Sequence, residues 1–183
     1  GGGSADAGAA LRMLARLWPG AARGDLAALA GGLGADVPVC LASRPAMMAG
    51  AGEDLSPAPT LPRFHLALVN PNQPLSTAEV FAALERRDNP AAPQTPGGFR
   101  DALDLAAWLR GLRNDLEPPA RRLRPAIGEA LTALKSAGGC LLARMSGSGA
   151  TCFGLFAQAA KAEAAARAIA AAEPGWWTAA APV

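Results

Sequence analysis

Cys140-Leu141-Leu142-Ala143-Arg144-Met145-Ser146-Gly147-Ser148-Gly149-Ala150-Thr151-Cys152-Phe153-Gly154-Leu155-Phe156 reads as two strands joined by a tight glycine-containing connection. Cys140–Met145 and Thr151–Phe156 are apolar runs of strand length, so Ser146–Gly149 is most simply a hairpin turn. Ahead of this hairpin, helices are expected at about Asp101–Leu112 and Pro119–Ala137, the second closed by Gly138-Gly139. Asp88–Gly98 is rich in Pro and Gly and reads as loop. Ser76-Thr77-Ala78-Glu79 has the capping-box spacing and starts a helix to about Arg87. Phe64–Val69 is a strand, broken by Pro71-Asn72-Gln73-Pro74. Behind the hairpin come an Ala-rich helix, Ala159–Ala172, and a last strand, Trp176–Ala181. The order β, helices, β, β, α, β is the split β-α-β arrangement of a ferredoxin-like α+β domain, with extra helices in the first crossover. That domain is expected over residues 61–183.

Residues 1–60 read as the tail of a different domain. A helix is expected over Asp6–Leu17, ended by Trp18-Pro19-Gly20, and a shorter one over Arg23–Ala30, stopped by Gly31-Gly32. Leu33–Pro38 is a loop, Val39–Ala42 and Pro45–Ala49 are short strand candidates, and Gly50–Pro62 is a turn-rich connector. This piece has too little apolar surface for a core of its own. It opens on Gly1-Gly2-Gly3-Ser4-Ala5-Asp6-Ala7. Successive glycines let backbone N–H groups approach an anion, and the following helix turns its positive end toward it. Phosphate binding and a glycine leader on an ordinary capped helix, with Ser4 or Asp6 as the cap, both stand at this point.

With 183 residues, the chain can build one full core or a domain plus part of another. Charged residues are 17% and the net charge is +2, which gives neither the basic stripe of a nucleic-acid binder nor a field to steer acidic partners. The hydrophobic fraction of 51% is inflated by alanine, and no run approaches the roughly 18 consecutive apolar residues of a membrane span. No secretory signal pattern is visible. Cys40, Cys140 and Cys152 lack metal-ligand spacing and there is one His, so the sequence reads as a cytoplasmic protein with reduced thiols.

Four blocks stand in a telling order: Gly1–Ala7, Leu33-Gly34-Ala35-Asp36-Val37-Pro38, Asn114-Asp115-Leu116-Glu117-Pro118 and Met145–Phe156. Together they resemble the GHMP kinase superfamily, and within it the 4-diphosphocytidyl-2-C-methyl-D-erythritol kinases of non-mevalonate isoprenoid synthesis. The likeness covers nearly all of the chain. Gly1–Ala7 looks like the latter part of the family's Pro-x-x-x-Gly-Leu-Gly-Gly-Gly-Ser-Ser-Asp-Ala phosphate loop. Gly-Ala-Asp-Val-Pro is fairly specific to this kinase, whereas the glycine loops are shared with other members.

The resemblance implies an α+β chain: a C-terminal ferredoxin-like GHMP kinase domain plus the tail of the N-terminal ribosomal-S5-like, ATP-binding α/β domain. It implies ATP and Mg²⁺, a cytidine diphosphate-linked methylerythritol as small-molecule substrate, and a monomer or homodimer. Gly1, Gly2, Gly3, Ser4 and Asp6 would face the ATP phosphates, with Ser4 also toward Mg²⁺; Ala5 stands where the family usually has a second Ser. Asp36 would be the catalytic carboxylate, against the plain alternative that it caps a turn. Thr77, Phe81 and the loop Ser146, Gly147, Ser148, Gly149 would form the substrate side, Phe81 stacking on the base; its alternative is a core position. Asn114–Pro118 organises a helix start, and Arg121, Arg122 and Arg124 form a solvated helix face. The family's early strands, its leading Pro-x-x-x-Gly-Leu and its catalytic Lys have no match here, so the 183-residue chain by itself is expected to turn over little or no substrate. Two other readings remain: a GHMP kinase for another small alcohol such as mevalonate or homoserine, and a non-catalytic ligand-binding ferredoxin-like module.

Overall fold

The computed structural model describes residues 2–18, 26–50, 52 and 54–183. The chain divides into two units, Gly1–Ala58 and Pro59–Val183.

The first unit contains α1 (Gly2–Leu17), α2 (Leu26–Leu33), α3 (Val37–Ala42), β1 (Ala46–Ala49) and β2 (Asp54–Pro57). Leu11, Ala30 and Val37, one from each helix, form its small core. Gly8 is what lets α1 meet α3. A Cβ there would stand 2.8 Å from the Cys40 carbonyl carbon and 2.9 Å from Leu41 N, a backbone approach that only glycine allows. The Arg12 guanidinium then donates to the Cys40 and Leu41 carbonyls, satisfying acceptors that the end of α3 leaves open.

Four expectations change here. The glycine loop is instead the first turn of a helix. The helix starts at Gly2, so Gly2, Gly3 and Ser4 are helical and neither Ser4 nor Asp6 caps it; Gly1 lies outside the described residues. Once Ala5–Ala10 is helical, each added residue gains a hydrogen bond, which offsets the roughly 1 kcal/mol propensity cost of a glycine. Val39–Ala42 is helix rather than strand, because a four-residue apolar run carries no period and Pro38 sits in a first turn, where its missing N–H is harmless. The Gly50–Pro62 connector contains β2, paired antiparallel with β1 from Ala46↔Pro57 to Ala49↔Asp54. Helix α2 runs through Gly31 and Gly32 rather than stopping at them. The expected start at Arg23 and the stop at Pro19-Gly20 lie outside the described residues.

The second unit contains β3 (His65–Asn70), α4 (Thr77–Ala82), α5 (Ala102–Arg110), α6 (Glu117–Leu123), α7 (Ala126–Ser136), β4 (Cys140–Met145), β5 (Cys152–Phe156), α8 (Ala159–Ala172) and β6 (Trp177–Pro182). Its sheet has the order β4-β5-β3-β6 with every neighbour antiparallel, the ferredoxin-like topology expected of the pattern. Period-two alternation sorts the side chains. Ala67, Val69, Cys152 and Phe156 face α7 and α8, meeting Ile127, Leu131, Leu134, Ala162 and Ile169. Leu155 faces the other way, with Phe64, toward Ala102, Leu105 and Ala106 at α5. His65 is a strand residue paired with Phe156 and Pro182.

Two helices are shorter than the sequence suggests. The expected Pro119–Ala137 helix is broken into α6 and α7 at Arg124, whose φ of −139° and ψ of 90° are extended, as the residue before a proline prefers. Helix α4 ends at Ala82 rather than near Arg87. Glu85-Arg86-Arg87-Asp88 offers no apolar face to hold a further turn, and the Ala83 carbonyl instead accepts from Arg122 Nη2 at 3.2 Å.

Strand β4 is an edge. Arg110 Nη2 reaches across to the Leu141 carbonyl at 3.3 Å, and the register slips between Cys140 and Leu142. Arg144 Nη2 donates to the Leu109 carbonyl at 2.6 Å and to that of Leu112, tying the end of α5 to the strand.

Candidate active site

In the second unit the candidate residues gather on the β4–β5 loop and the start of α4. Ser146 N–H donates to the Thr151 carbonyl and Gly149 N–H to the Ser146 carbonyl, both at 2.9 Å, closing a tight turn. Gly149 has φ +89°, and a Cβ there would lie 2.9 Å from Met145 Sδ and 3.3 Å from Leu75 Cδ2, so this position admits only glycine without rearrangement.

The loop is brought against α4. Thr77 Oγ1 and Ser148 Oγ lie 2.8 Å apart. One hydroxyl hydrogen serves that bond, which leaves the other hydroxyl's hydrogen directed elsewhere, available to a ligand. Ser76 N–H donates to the Glu79 carboxylate at 3.1 Å, closing the front of α4 as the capping-box spacing suggested. Val80 is fully buried, whereas Phe81 is 48% exposed. Phe81 is therefore not a core residue; its ring is open to a stacking partner.

Helix α4 is held at both ends. Arg124 Nε donates to the Pro74 carbonyl at 2.8 Å, just before the helix, and Arg122 Nη2 to the Ala83 carbonyl just after it. Arg122 also pairs with Glu85 at 3.0 Å, and Arg121 with Glu117 at 3.6 Å. Arg121 and Arg122 are exposed, as a solvated face requires, and Arg122 and Arg124 in addition anchor backbone carbonyls. Asn114, read as a helix-start residue, does that and more. Its Oδ1 accepts from Leu116 N–H at 3.0 Å, while its Nδ2 donates to the carbonyls of Met145, at 3.1 Å, and Gly147, at 2.8 Å. The turn chemistry of Asn two residues before Leu116 is local and visible in sequence; its reach into a loop some thirty residues further on is not.

A groove of about 520 Å³ runs along β4, lined in part by Arg110, Arg113, Lys135 and Arg144. Its guanidinium groups are engaged: Arg113 pairs with Asp115 at 2.8 Å and donates to the Pro90 carbonyl, beside the bonds of Arg110 and Arg144 above. Thr77, Phe81 and the glycine loop do not line it; Asn114 does.

In the first unit, Asp36 stands exposed immediately before α3, with φ −84° and ψ −9°. Its side chain makes no capping bond to that helix. The turn is closed by backbone, Val37 N–H to the Gly34 carbonyl at 3.0 Å and Cys40 N–H to the Asp36 carbonyl at 3.2 Å. At the other end of the candidate set, the first N–H groups of α1, from Gly2 onward, have no intrahelical acceptor. Space is open around Gly3, where a Cβ would find nothing within 4 Å. Ser4 is half-buried and Asp6 exposed. Among the described residues no three His, Cys, Asp or Glu side chains cluster as a metal site, and no helix is long and apolar enough to cross a membrane.

The split β-α-β sheet and the glycine loop between β4 and β5 define the class: this chain belongs to the GHMP kinases, whose C-terminal domain pattern, described as "GHMP kinases C terminal", matches residues 81–175. It is similar to the 4-diphosphocytidyl-2-C-methyl-D-erythritol kinase of Parvibaculum lavamentivorans, 57% identical over 97% of this chain and 62% of that protein. The enzyme of the same name from Paracoccus denitrificans is 56% identical over 98% of this chain and 62% of its own length. Among solved structures, a crystal structure of 4-(cytidine 5'-diphospho)-2C-methyl-D-erythritol kinase superposes with a TM-score of 0.76 at 35% identity, covering 98% of this chain and 65% of that one. A homoserine kinase from Cytophaga hutchinsonii, at 17% identity and a TM-score of 0.50, shares the fold. The chain spans about 62% of the length of these curated relatives.

Proposed function

We propose that this protein acts in the phosphorylation of the 2-hydroxyl of 4-diphosphocytidyl-2-C-methyl-D-erythritol by ATP, a step of non-mevalonate isoprenoid synthesis. The observation that carries the proposal is identity of 57% over 97% of the chain to a kinase of that name. Geometry supports it in detail: the exposed Phe81 ring suits a nucleobase, and the Thr77–Ser148 hydroxyl pair beside it suits polar groups of the same ligand.

In this reading the free N–H groups at the start of α1, from Gly2, Gly3 and Ser4, cradle the ATP phosphates. Gly1 and Asp6 complete that set by the resemblance. The donor chemistry fits a polyphosphate, and Ser4 Oγ is the protein oxygen offered to Mg²⁺, which neutralises phosphate charge and is otherwise held by the nucleotide and water. Asp36 accepts the proton of the substrate hydroxyl. As that oxygen bonds to the γ-phosphorus, the bond from phosphorus to the β,γ-bridging oxygen breaks and ADP leaves. The reading also assigns the protein to the cytoplasm, which its three free thiols suit, and, by the resemblance alone, makes it a monomer or homodimer.

The test is ATP turnover with this substrate, comparing wild type with Asp36→Asn in the 183-residue chain and in the full-length gene product. The expected result is activity in the full-length wild type and a loss of about 10²–10⁴-fold in the variant, the usual contribution of a general base. No cytidine-dependent binding or turnover in either form would overturn the proposal.

A further inference from the structure

We infer that the stretch from Asn114 to Arg124 is the positioning element of the substrate site, holding the glycine loop at one end and α4 at the other; the inference rests on the kinase reading above. Asn114 makes three side-chain hydrogen bonds to this end. One amide oxygen fixes the entry to α6 through Leu116 N–H, and two amide hydrogens fix the carbonyls on either side of Ser146. Seven residues of α6 follow, stiffened by Pro118-Pro119 and seated in the core by fully buried Ala120. At the far end Arg122 and Arg124 bracket α4 by its Ala83 and Pro74 carbonyls. The strut therefore sets the distance between two surfaces that share no strand or helix, and the Thr77–Ser148 contact of 2.8 Å is where they meet. These three side chains are positioning residues; the groups offered to ligand are those of Thr77, Phe81 and Ser148.

The experiment uses the full-length protein with Asn114→Asp, Asn114→Ala, Arg124→Met and Arg124→Lys, and Arg100→Met as a control in an exposed ion pair with Asp104. Asn114→Asp keeps shape and acceptor but sets carboxylate oxygen against two carbonyl oxygens. Steady-state kinetics give KM for the cytidine-linked substrate and for ATP, and amide hydrogen exchange follows residues 76–83 and 145–150. The expected result is a rise of about tenfold in KM for the cytidine-linked substrate, on the scale of one lost hydrogen bond, with KM for ATP unchanged. Arg124→Lys should recover part of the Arg124→Met loss, since one donor can be replaced but not the fork. Exchange should quicken in the loop for the Asn114 variants and in α4 for Arg124→Met, with β5 unchanged. Equal shifts in both KM values, unaltered exchange in those segments, or global unfolding of every variant would each overturn the inference. An inactive wild type would sink the kinase reading alone, because the exchange arm still decides whether the strut holds the loop and helix.

Discussion

Thr77 Oγ1 lies 2.8 Å from Ser148 Oγ, a contact between residues 71 apart in sequence. It joins the first turn of α4 to the glycine loop, and both side chains are accessible enough that neither supports the core. Thr77→Val and Ser148→Ala are each expected to leave thermal stability within about 0.5 kcal/mol, as surface changes do, while weakening binding of a cytidine nucleotide. Because they share one bond, the double variant should fall short of the sum of the singles by about 0.5–1.5 kcal/mol. Isothermal titration of all four proteins checks this; strict additivity would show the contact to be idle.

Phe81 carries a cleaner separation of stability from binding. Its ring is 48% exposed while its neighbour Val80 is fully buried. Phe81→Ala should therefore leave the urea midpoint nearly unchanged and lower affinity for cytidine nucleotides by about 1–3 kcal/mol, the range of a base–aromatic stack. Val80→Ala should do the opposite, costing roughly 1–3 kcal/mol of stability through a cavity at a core site. A Phe81→Ala protein that binds cytidine as wild type does would remove Phe81 from the site.

Gly149→Ala tests the loop itself. The added methyl meets Met145 Sδ at 2.9 Å in a backbone with φ +89°, and Met145 is only 2% exposed, so it has little room to retreat. Left-handed strain and overpacking together should destabilise the protein by about 2–4 kcal/mol in urea titration. A loss below about 0.5 kcal/mol would mean the loop relaxes freely.

Cys152 makes the fold sensitive to alkali. Burial pushes its thiol up from 9.0 to about 12. Folded protein keeps the thiol neutral where the unfolded chain has already released the proton, so this contribution is intact below about pH 9 and is lost as pH climbs toward 12. Within that window wild type should lose about 1.4 kcal/mol of stability per pH unit relative to Cys152→Ala. Urea midpoints of both proteins at about pH 8 and about pH 10.5 measure the difference, expected near 2 kcal/mol. Parallel loss in the two proteins would assign the alkaline sensitivity to other groups.

How far the chain could be read beforehand varied with the range of the interaction. The Cys140–Phe156 hairpin, the Ala159–Ala172 helix and the strand order were legible because alternation and composition repeat over whole elements. Val39–Ala42 was not, since four apolar residues fit strand and helix alike until packing against α1 through Gly8 decides. The break at Arg124 was written in Pro125 and could have been read from it. The candidate site divides in the same way. The glycine loop and Asp36 become candidates through the resemblance of their motifs to the family, since residue type alone reads as a hairpin turn and a turn cap. Asn114, Arg122 and Arg124 act through backbone carbonyls up to fifty residues away in sequence, and a carbonyl acceptor leaves no mark on the residue that bears it.

The guarded margin of β4 has a meaning for life at high concentration. A bare sheet edge is a template on which a second molecule can lay a strand and start a stack. Here the Leu141 carbonyl is already occupied by Arg110, and the slip between Cys140 and Leu142 spoils the even ladder an incoming strand would need. The protein thus carries its own terminator against runaway polymerisation on that side, built from a helix-end arginine.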